Sequence, residues 1–273
     1  MSGPIERVVV PLDAASENRT AIETAARLAA RAKASLRGIF VEDEDLLRLA
    51  RLPFARQVTA ESGATPFTPE QAELYLRAAA ERSRRDLLGA AKRHGVECSF
   101  ETVRGADTAL CAACERDLVV AGGLTRPIAG HFRVEARWWS SLGVASAPLL
   151  LARQAWSGSG STVVVLRHPG PESGRLLDTA AQLAEARDGA VSIICSRAGI
   201  DPAAFDEWIA ERLKGHSGRL QIETAPAEPA QLRQRIRQLD CGLLAVEADS
   251  VEGRAGEVRE LVESFACDVL IVR

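Results

Sequence analysis

The chain has 273 residues, of which 47% are hydrophobic and 26% are charged, a balance typical of globular domains with a buried core. Its net charge of -3 argues against a basic surface that would bind nucleic acid or an anionic membrane. No apolar run reaches the roughly 20 residues that span a bilayer, and the opening MSGPIERVVVPLD lacks the pattern of a signal peptide. We therefore expect a cytoplasmic protein that does not enter the membrane.

The first half of the chain alternates short apolar runs with amphipathic stretches. VVVPL predicts a buried parallel strand, and residues 17–33 predict a helix with one apolar face and Ser16 as its N-cap. After the strand LRGIFV, residues 69–95 predict a long helix with Pro69 near its start and Gly95 as its C-cap. VECSFETV, LVVA and PLLLAR predict three more strands, with helices in ADTALCAACER and HFRVEARWWSSLG. Five strands and four helices in this order predict a doubly wound parallel sheet.

A long insertion, residues 43–70, follows the second strand and runs into the start of the long helix. Its leucines and Phe54 predict a short amphipathic helix. Insertions of this length are often functional, so a lid or a surface for a partner is one interpretation. The other is a cover over the sheet edge or over a cleft.

The second half of the chain repeats the first. Residues 8–41 align without a gap on residues 163–196, with identical residues at 10 of 34 positions. The closing stretch SAPLLLAR likewise matches ACDVLIVR at the end of the chain. The two units meet at the Ser- and Gly-rich residues 155–161, which predict a flexible linker between a first domain, 1–154, and a second, 162–273.

With these pieces the chain resembles the universal stress protein family in its tandem two-domain form. The stretches that carry the resemblance are RVVVPLDAASENRTAIETAARLA, LRGIFVED, VRGAD, DLVVAGG and SAPLLLAR. The resemblance implies two Rossmann-like, adenine nucleotide alpha hydrolase-like domains, each an α/β unit with an open five-stranded parallel sheet of order 3-2-1-4-5 and helices on both faces. It also implies that the two domains pair as an intramolecular pseudo-dimer, and a homodimer of the whole chain is a further possibility.

Many members of that family bind ATP through a glycine-rich loop between the fourth strand and the last helix. Glycines there let the backbone approach the phosphates, and the helix N-terminus attracts them. If nucleotide binds this chain, the resemblance implies these contacts in the first domain: Asp13 on the ribose, then Val41, Gly122, Gly123, Thr125 and Arg126.

The family's loop length is kept here, but the residues that hold phosphate are not. The loop of the ATP-binding members reads Gly-x2-Gly-x9-Gly-Ser/Thr. Counted forward from Gly122 or backward from Pro148, its third glycine falls at Glu135, and Ala136 replaces the hydroxyl residue that follows. Thr125 stands at the second glycine. A carboxylate at Glu135 would repel a polyphosphate and would satisfy the helix start by itself. The sequence therefore predicts a degenerate loop that holds no nucleotide, with ATP binding as the alternative.

The second domain departs further from the ATP-binding pattern. His168 replaces Asp13, and Glu247 replaces the first glycine. Gly253 and Gly256 remain, but acidic residues surround them. We expect no nucleotide in this domain.

Little else in the sequence suggests chemistry. The pair Cys111 and Cys114 forms a CxxC, but no second pair or histidine lies at zinc spacing, and ALCAAC is typical of the buried face of a short helix. One of the adjacent Trp138 and Trp139 could enter the contact between the halves. No hydrolase or metalloprotease motif is present, so we expect no metal, no cofactor and no enzymatic activity. The predicted function is a regulatory or interaction role in the stress response with an unknown protein partner; the alternative is an ATP-binding protein with slow ATPase activity.

Overall fold

The computed structural model describes residues 4–14, 18–59, 63–104, 113–122, 146–153, 160–166, 169–195, 201–214, 219–224, 229–247 and 264–273. The strands in these ranges are β1 (Arg7–Leu12), β2 (Ser35–Glu42), β3 (Arg56–Thr59), β4 (Gly63–Pro66), β5 (Cys98–Arg104), β6 (Asp117–Gly122), β7 (Leu149–Ala152), β8 (Ser161–Leu166), β9 (Val191–Cys195), β10 (Leu220–Thr224), β11 (Cys241–Glu247) and β12 (Asp268–Val272). The helices are α1 (Arg19–Ala32), α2 (Glu44–Ala50), α3 (Pro69–His94), α4 (Pro171–Ala186), α5 (Pro202–Arg212) and α6 (Pro229–Gln238).

Ten of the strands form one sheet. Its order is β10-β9-β8-β11-β12-β7-β6-β1-β2-β5, and β3 pairs separately with β4 as a hairpin. Numbered within its own half, each set of five strands has the order 3-2-1-4-5, and all pairings inside a half are parallel. The predicted fold class is therefore confirmed, with the same topology built twice.

The two halves join edge to edge through β7 and β12, which pair antiparallel. Leu150 lies opposite Leu270, and the flanking pairs are Leu149 with Ile271 and Leu151 with Val269. Leu150 and Leu270 are also equivalent residues of the internal repeat, SAPLLLAR against ACDVLIVR. Leu149 faces Ile271, the repeat equivalent of Leu151, and Leu151 faces Val269, the repeat equivalent of Leu149. The pairing therefore has the local twofold symmetry of an isologous interface.

Helices cover both faces of this sheet. On one face, α1, α3, α4 and α5 pack over a core that runs through both halves, and on the other face Ile236 of α6 packs beside Phe265. The predicted apolar face of α1 is buried at Ala21, Ile22, Ala25, Leu28 and Ala29. The helices predicted in 106–116 and 131–143 fall largely outside the described residues, as do Trp138 and Trp139.

The ends of the helices test the predicted capping residues. Helix α3 begins at Pro69, inside a capping box formed by Thr68 and Gln71, and ends at Gly95, whose φ of 67° is left-handed as a glycine C-cap requires. Helix α1 instead begins two residues later than predicted, with Asn18 at its N-cap position. The Ser16 cap was wrong; Asn18 uses its side-chain amide to bond the carbonyl of Asp13, 3.0 Å away.

The predicted helix around the CxxC also differs from the structure. Cys111 lies outside the described residues, whereas Cys114 is exposed and lies in the turn before β6. The backbone N–H of Cys114 donates to Asp117, 2.8 Å away, which holds this turn in place of a helical bond. The buried helical position expected for Cys114 was wrong. Among the helices in the described ranges, none has the length and hydropathy to cross a bilayer.

Of the predicted linker, the structure describes Gly160 and Ser161, and both contact the second half. Strand β8 begins at Ser161, one residue before the predicted second domain, and the Ser161 hydroxyl donates to the carbonyl of Leu239. Gly160 has a φ of +98°, and a Cβ built on it would lie 2.9 Å from the backbone of Gly242. The last glycine of the linker is therefore required by both its backbone angle and its close approach to β11.

We expect Gly160→Ala to lower the free energy of unfolding by about 2 kcal/mol or more, because it combines left-handed strain with a backbone clash. Gly95→Ala is the matched control: its φ of +67° is also left-handed, but nothing lies within 4 Å of its added Cβ. Its loss should be about 1 kcal/mol. Urea denaturation measures both, and equal losses would show that the approach of Gly160 to Gly242 costs nothing.

A carboxylate on α1 ties that helix to the end of α3. Glu23 lies 2.9 Å from His94 Nε2 and 2.9 Å from Arg93 Nη2. The hydrogen bond with His94, followed by that with Arg93, lowers the pKa of Glu23 to about 2. Because the pKa of Glu23 in the fold is below its ordinary value of 4.5, the ionised carboxylate stabilises the fold, and this stabilisation is complete above pH 4.5.

The contribution of Glu23 should be lost as pH falls from about 4.5 towards 2. Glu23→Gln should therefore be less stable than the parent at neutral pH and should converge with it in acid. Unfolding free energies measured across that range check this, and two parallel curves would contradict it.

Candidate functional site

Parallel sheets of this kind bind ligands where neighbouring strands send their connections to opposite faces, at the carboxyl ends of the strands. The order 3-2-1-4-5 creates one such crevice in each half. In the first half it lies between β1 and β6, and in the second between β8 and β11. These two crevices are the candidate sites.

The first crevice brings together three of the residues expected to contact nucleotide. Asp13 follows the last residue of β1, Val41 lies in the neighbouring β2, and Gly122 ends β6. The register places them at the same edge of the sheet, because Leu12 is paired with Phe40 of β2, and Val9 is paired with Val119 of β6, three residues before Gly122. Asp13, Val41 and Gly122 are all half-buried.

The rest of the predicted phosphate loop cannot be placed. Gly123, Thr125, Arg126, Glu135 and Ala136 lie outside the described residues, so the orientation of the Glu135 carboxylate stays a prediction. His168, Gly253 and Gly256 of the second half also lie outside them.

The insertion begins at the rim of the first crevice. Glu42 ends β2 and accepts a hydrogen bond from Arg104 Nε, 2.8 Å away, which raises the pKa of Arg104. The next residue, Asp43, caps α2 by accepting from the N–H of Asp45 at 2.9 Å. The predicted short helix is thus present as α2, followed by the β3–β4 hairpin.

From the other side of the insertion, α3 reaches back to the same crevice. The Tyr75 hydroxyl donates to the carbonyl of Ala14 at 3.2 Å, just beyond Asp13. Helix α3, which follows the insertion, therefore holds the start of the loop after β1. The apolar residues of the insertion are not all used in packing, since Phe54 is 75% exposed and Val58 is 78% exposed.

A buried carboxylate of the chain itself lies at the second crevice. Glu247 ends β11, is only 4% exposed, and accepts a hydrogen bond from the hydroxyl of Ser173. Ser173 lies in the first turn of α4, where free N–H groups and the helix dipole favour an anion. The helix start therefore helps to stabilise the Glu247 carboxylate.

Sequence comparison of the halves found Glu247 but not its partner. It identified Glu247 as the replacement for a glycine and treated the acidic surroundings as unfavourable for phosphate. The burial of Glu247 could have been predicted, because this residue directly extends the apolar run GLLAV. A buried glutamate needs a hydrogen-bond donor, and Ser173 at the nearby start of α4 supplies one.

Outside the two crevices, a cavity of about 320 Å³ lies between α1 and α4, where the halves meet. Its floor is apolar, with Val8, Leu28 and Leu183, and Arg31 at its rim pairs with Asp188 across the halves at 2.8 Å. Within the described ranges, no three His, Cys, Asp or Glu side chains gather as metal ligands would.

Comparisons with known proteins support the fold. The sequence matches no family model and no curated protein. A universal stress protein from Archaeoglobus fulgidus DSM 4304 superposes with a TM-score of 0.68 at 14% identity, covering 98% of this chain and 96% of its own. A protein described as a universal stress protein from Pseudomonas aeruginosa UCBPP-PA14 gives 0.62 at 14% identity, covering 98% and 93%.

A functionally unknown protein from Pseudomonas aeruginosa PAO1 is similar to the same degree, with a TM-score of 0.61, 13% identity, and coverage of 98% and 92%. The likeness to universal stress proteins that the sequence predicts is thus confirmed over nearly the whole chain. At these identities it shows the fold and not the activity.

The bond between Ser173 and Glu247 can be tested by a double-mutant cycle. Ser173→Ala should lower the unfolding free energy by about 2 kcal/mol, because a buried carboxylate loses a donor. In a Glu247→Gln background the same change should cost about 1 kcal/mol, since the acceptor is neutral. Chemical denaturation of the four proteins gives the coupling, and additive losses would show that the two side chains do not interact.

Proposed function

We propose that this chain is a cytoplasmic tandem universal stress protein whose role in the stress response is regulatory or interactive and not catalytic. In this proposal the first and second domains form an intramolecular pseudo-dimer, and both nucleotide loops are degenerate. The observation that carries it is the buried Glu247, which brings the chain's own carboxylate to the second crevice.

The residues of the first crevice support the same conclusion by charge. Within the described residues, Glu42 at its rim is already paired with Arg104, and Asp13 is the residue that the resemblance places on the ribose, so the charge that opposes phosphate comes from the loop. The sequence adds Glu135 at the third glycine of the phosphate motif and Ala136 in place of a hydroxyl donor. Like charges about 4 Å apart cost roughly 1 kcal/mol in water and more in a sheltered cleft. A polyphosphate would therefore meet repulsion here.

Exposed apolar residues support an interaction role. In the insertion and the adjoining part of α3, Leu49, Phe54, Val58 and Leu74 are each at least half exposed. A surface of this kind is typical of contact with a partner protein or a second copy of the chain. The same fold also occurs in the cytoplasmic domain of a prokaryotic cation chloride cotransporter, at a TM-score of 0.52 and 11% identity. The fold is therefore compatible with more than one biological role.

The alternative function is ATP binding in the first crevice, with slow hydrolysis as its extension. It is favoured by the adjacency of Asp13 and Gly122 at the carboxyl edge of the sheet, the arrangement that the resemblance implies for ribose and phosphate. No comparable arrangement favours ATP in the second half, where Glu247 replaces the glycine.

Thermal unfolding with MgATP, MgADP and AMP separates the two functions. A ligand at 100 times its Kd stabilises a protein by about 2.7 kcal/mol, which is readily measured. We expect no change in melting temperature for the parent chain at millimolar nucleotide. A clear rise would refute the proposal and support the alternative.

A gain-of-binding variant supplies the positive control. Glu135→Gly combined with Ala136→Ser restores the third glycine and the hydroxyl residue and removes one negative charge. A nucleotide-dependent rise in this variant, lost again on Asp13→Ala, would support the carboxylate explanation. No rise in the variant would show that something other than Glu135 and Ala136 blocks the first crevice.

A further inference from the structure

Two cysteines of the second half lie in contact although the sequence separates them widely. The Sγ atoms of Cys241 and Cys267 are 3.6 Å apart. Cys241 begins β11, Cys267 directly precedes β12, and the two strands are parallel neighbours. Because Leu243 is paired with Asp268, the two cysteines lie one position out of register on adjacent strands.

A β-bulge brings the two sulfurs to the same face of the sheet. In β11, Leu243 and Ala245 point into one core, and Leu244 and Val246 point into the other. Regular alternation would send Cys241 to the side of Leu243. The pairing with β8 shifts between Cys241 and Leu243, and Cys241 packs instead with Cys267 on the opposite face. Gly242, at the bulge, is the residue that Gly160 approaches closely.

Charged groups surround the pair. Arg153 donates from its side chain to the carbonyl of Phe265 at 2.6 Å and from its backbone to Asp268 at 2.8 Å, so it spans both sides of Cys267. Arg187 forms a buried ion pair with Asp268 at 3.0 Å. The hydrogen bond from Cys241 lowers the pKa of the Cys267 thiol, with a further contribution from Arg153. The same contact and burial raise the pKa of Cys241.

We propose that Cys241 and Cys267 form a reversible redox pair that closes to a disulfide when the protein meets a hydroperoxide. The neighbouring thiols, 3.6 Å apart on one face of adjacent strands, need little movement to bond. Cys267 is the attacking residue, because Arg153 bonds to Phe265 and Asp268 on either side of it and the Cys241 thiol lies 3.6 Å away. Both groups favour its thiolate, against the opposing effects of burial and of Asp268. Cys241 is the resolving residue. This inference is independent of whether nucleotide binds either crevice.

The chemistry balances in two steps. The Cys267 thiolate attacks one peroxide oxygen, so an S–O bond forms, the O–O bond breaks, and the leaving oxygen takes a proton to become water or an alcohol. The Cys241 sulfur then attacks the sulfenic acid: the S–S bond forms, the S–O bond breaks, and water leaves with the Cys241 proton. The two sulfurs together lose two electrons, and the hydroperoxide gains them.

Disulfide formation would cross-link β11 to β12, next to the seam between the halves, which is the pairing of β7 with β12. Strand β12 pairs with β7 of the first half on its other side. Residues 241–267 would become a closed ring, which restricts the unfolded chain. We therefore expect the oxidised protein to melt roughly 5 °C higher than the reduced protein.

Peptide mapping of the full chain tests the proposal directly. The reduced protein is treated with a modest excess of hydrogen peroxide, the remaining thiols are blocked, and the protein is digested with trypsin. The expected product links the peptides 238–254 and 260–273, and dithiothreitol releases them again. This measurement needs no variant, so a folding defect cannot obscure it.

Three variants identify the roles. Cys98→Ser, which removes another half-buried thiol, should leave the linked peptide and the rise in melting temperature unchanged. Cys267→Ser should abolish both. Cys241→Ser should also abolish the link and should leave Cys267 as a sulfenic acid that dimedone labels. The proposal fails if the parent protein yields no linked peptide, or if other cysteines oxidise while Cys241 and Cys267 stay reduced.

Discussion

The antiparallel pairing of β7 with β12 is the contact on which the arrangement of the whole chain depends. Each half ends in a strand that is buried on both faces, LLLA in one and DVLIV in the other. Alone, each would be an apolar sheet edge, which proteins avoid because it invites aggregation. Paired, Leu150 and Leu270 are almost fully buried, and burial of a leucine side chain stabilises by about 1.5–3 kcal/mol. The edges that remain, β5 and β10, carry ion-paired glutamates, Glu101 with Arg37 and Glu223 with Arg235.

The seam also explains why buried charge collects near it. Asp268 starts β12 and is 2% exposed, a position at which a lone carboxylate would be strongly unfavourable. It is compensated from both halves, by Arg187 of the second and by the backbone N–H of Arg153 from the first. Cys267 directly precedes Asp268, and the charges of Asp268, Arg153 and Arg187 act on the two thiols. The polar network that connects the halves thus creates the electrostatic environment of the cysteine pair.

The two crevices show how a duplicated unit can diverge at one position. Gly122 and Glu247 end equivalent strands, but Gly122 has no side chain and Glu247 brings a buried carboxylate that accepts from the hydroxyl of Ser173. The carboxylate lies near the start of α4, where the helix dipole favours an anion. One substitution at the end of a strand thus gives the two crevices different charge.

The sequence by itself determined most of the strands and helices and the repeat, because apolar periodicity, Pro69 and Gly95 are local signals. The strand order and the place of Asp13 and Gly122 at a crevice followed from the resemblance to a known family, and the alignment of the halves paired Gly122 with Glu247. Only the tertiary structure decided that Asn18 and not Ser16 lies at the start of α1, that Cys114 is exposed, and that Gly160 is held against Gly242. It likewise decided that Ser173 reaches Glu247 and that a bulge turns Cys241 towards Cys267. These are contacts between residues far apart in the chain or between backbone atoms, and no local pattern of side chains encodes them.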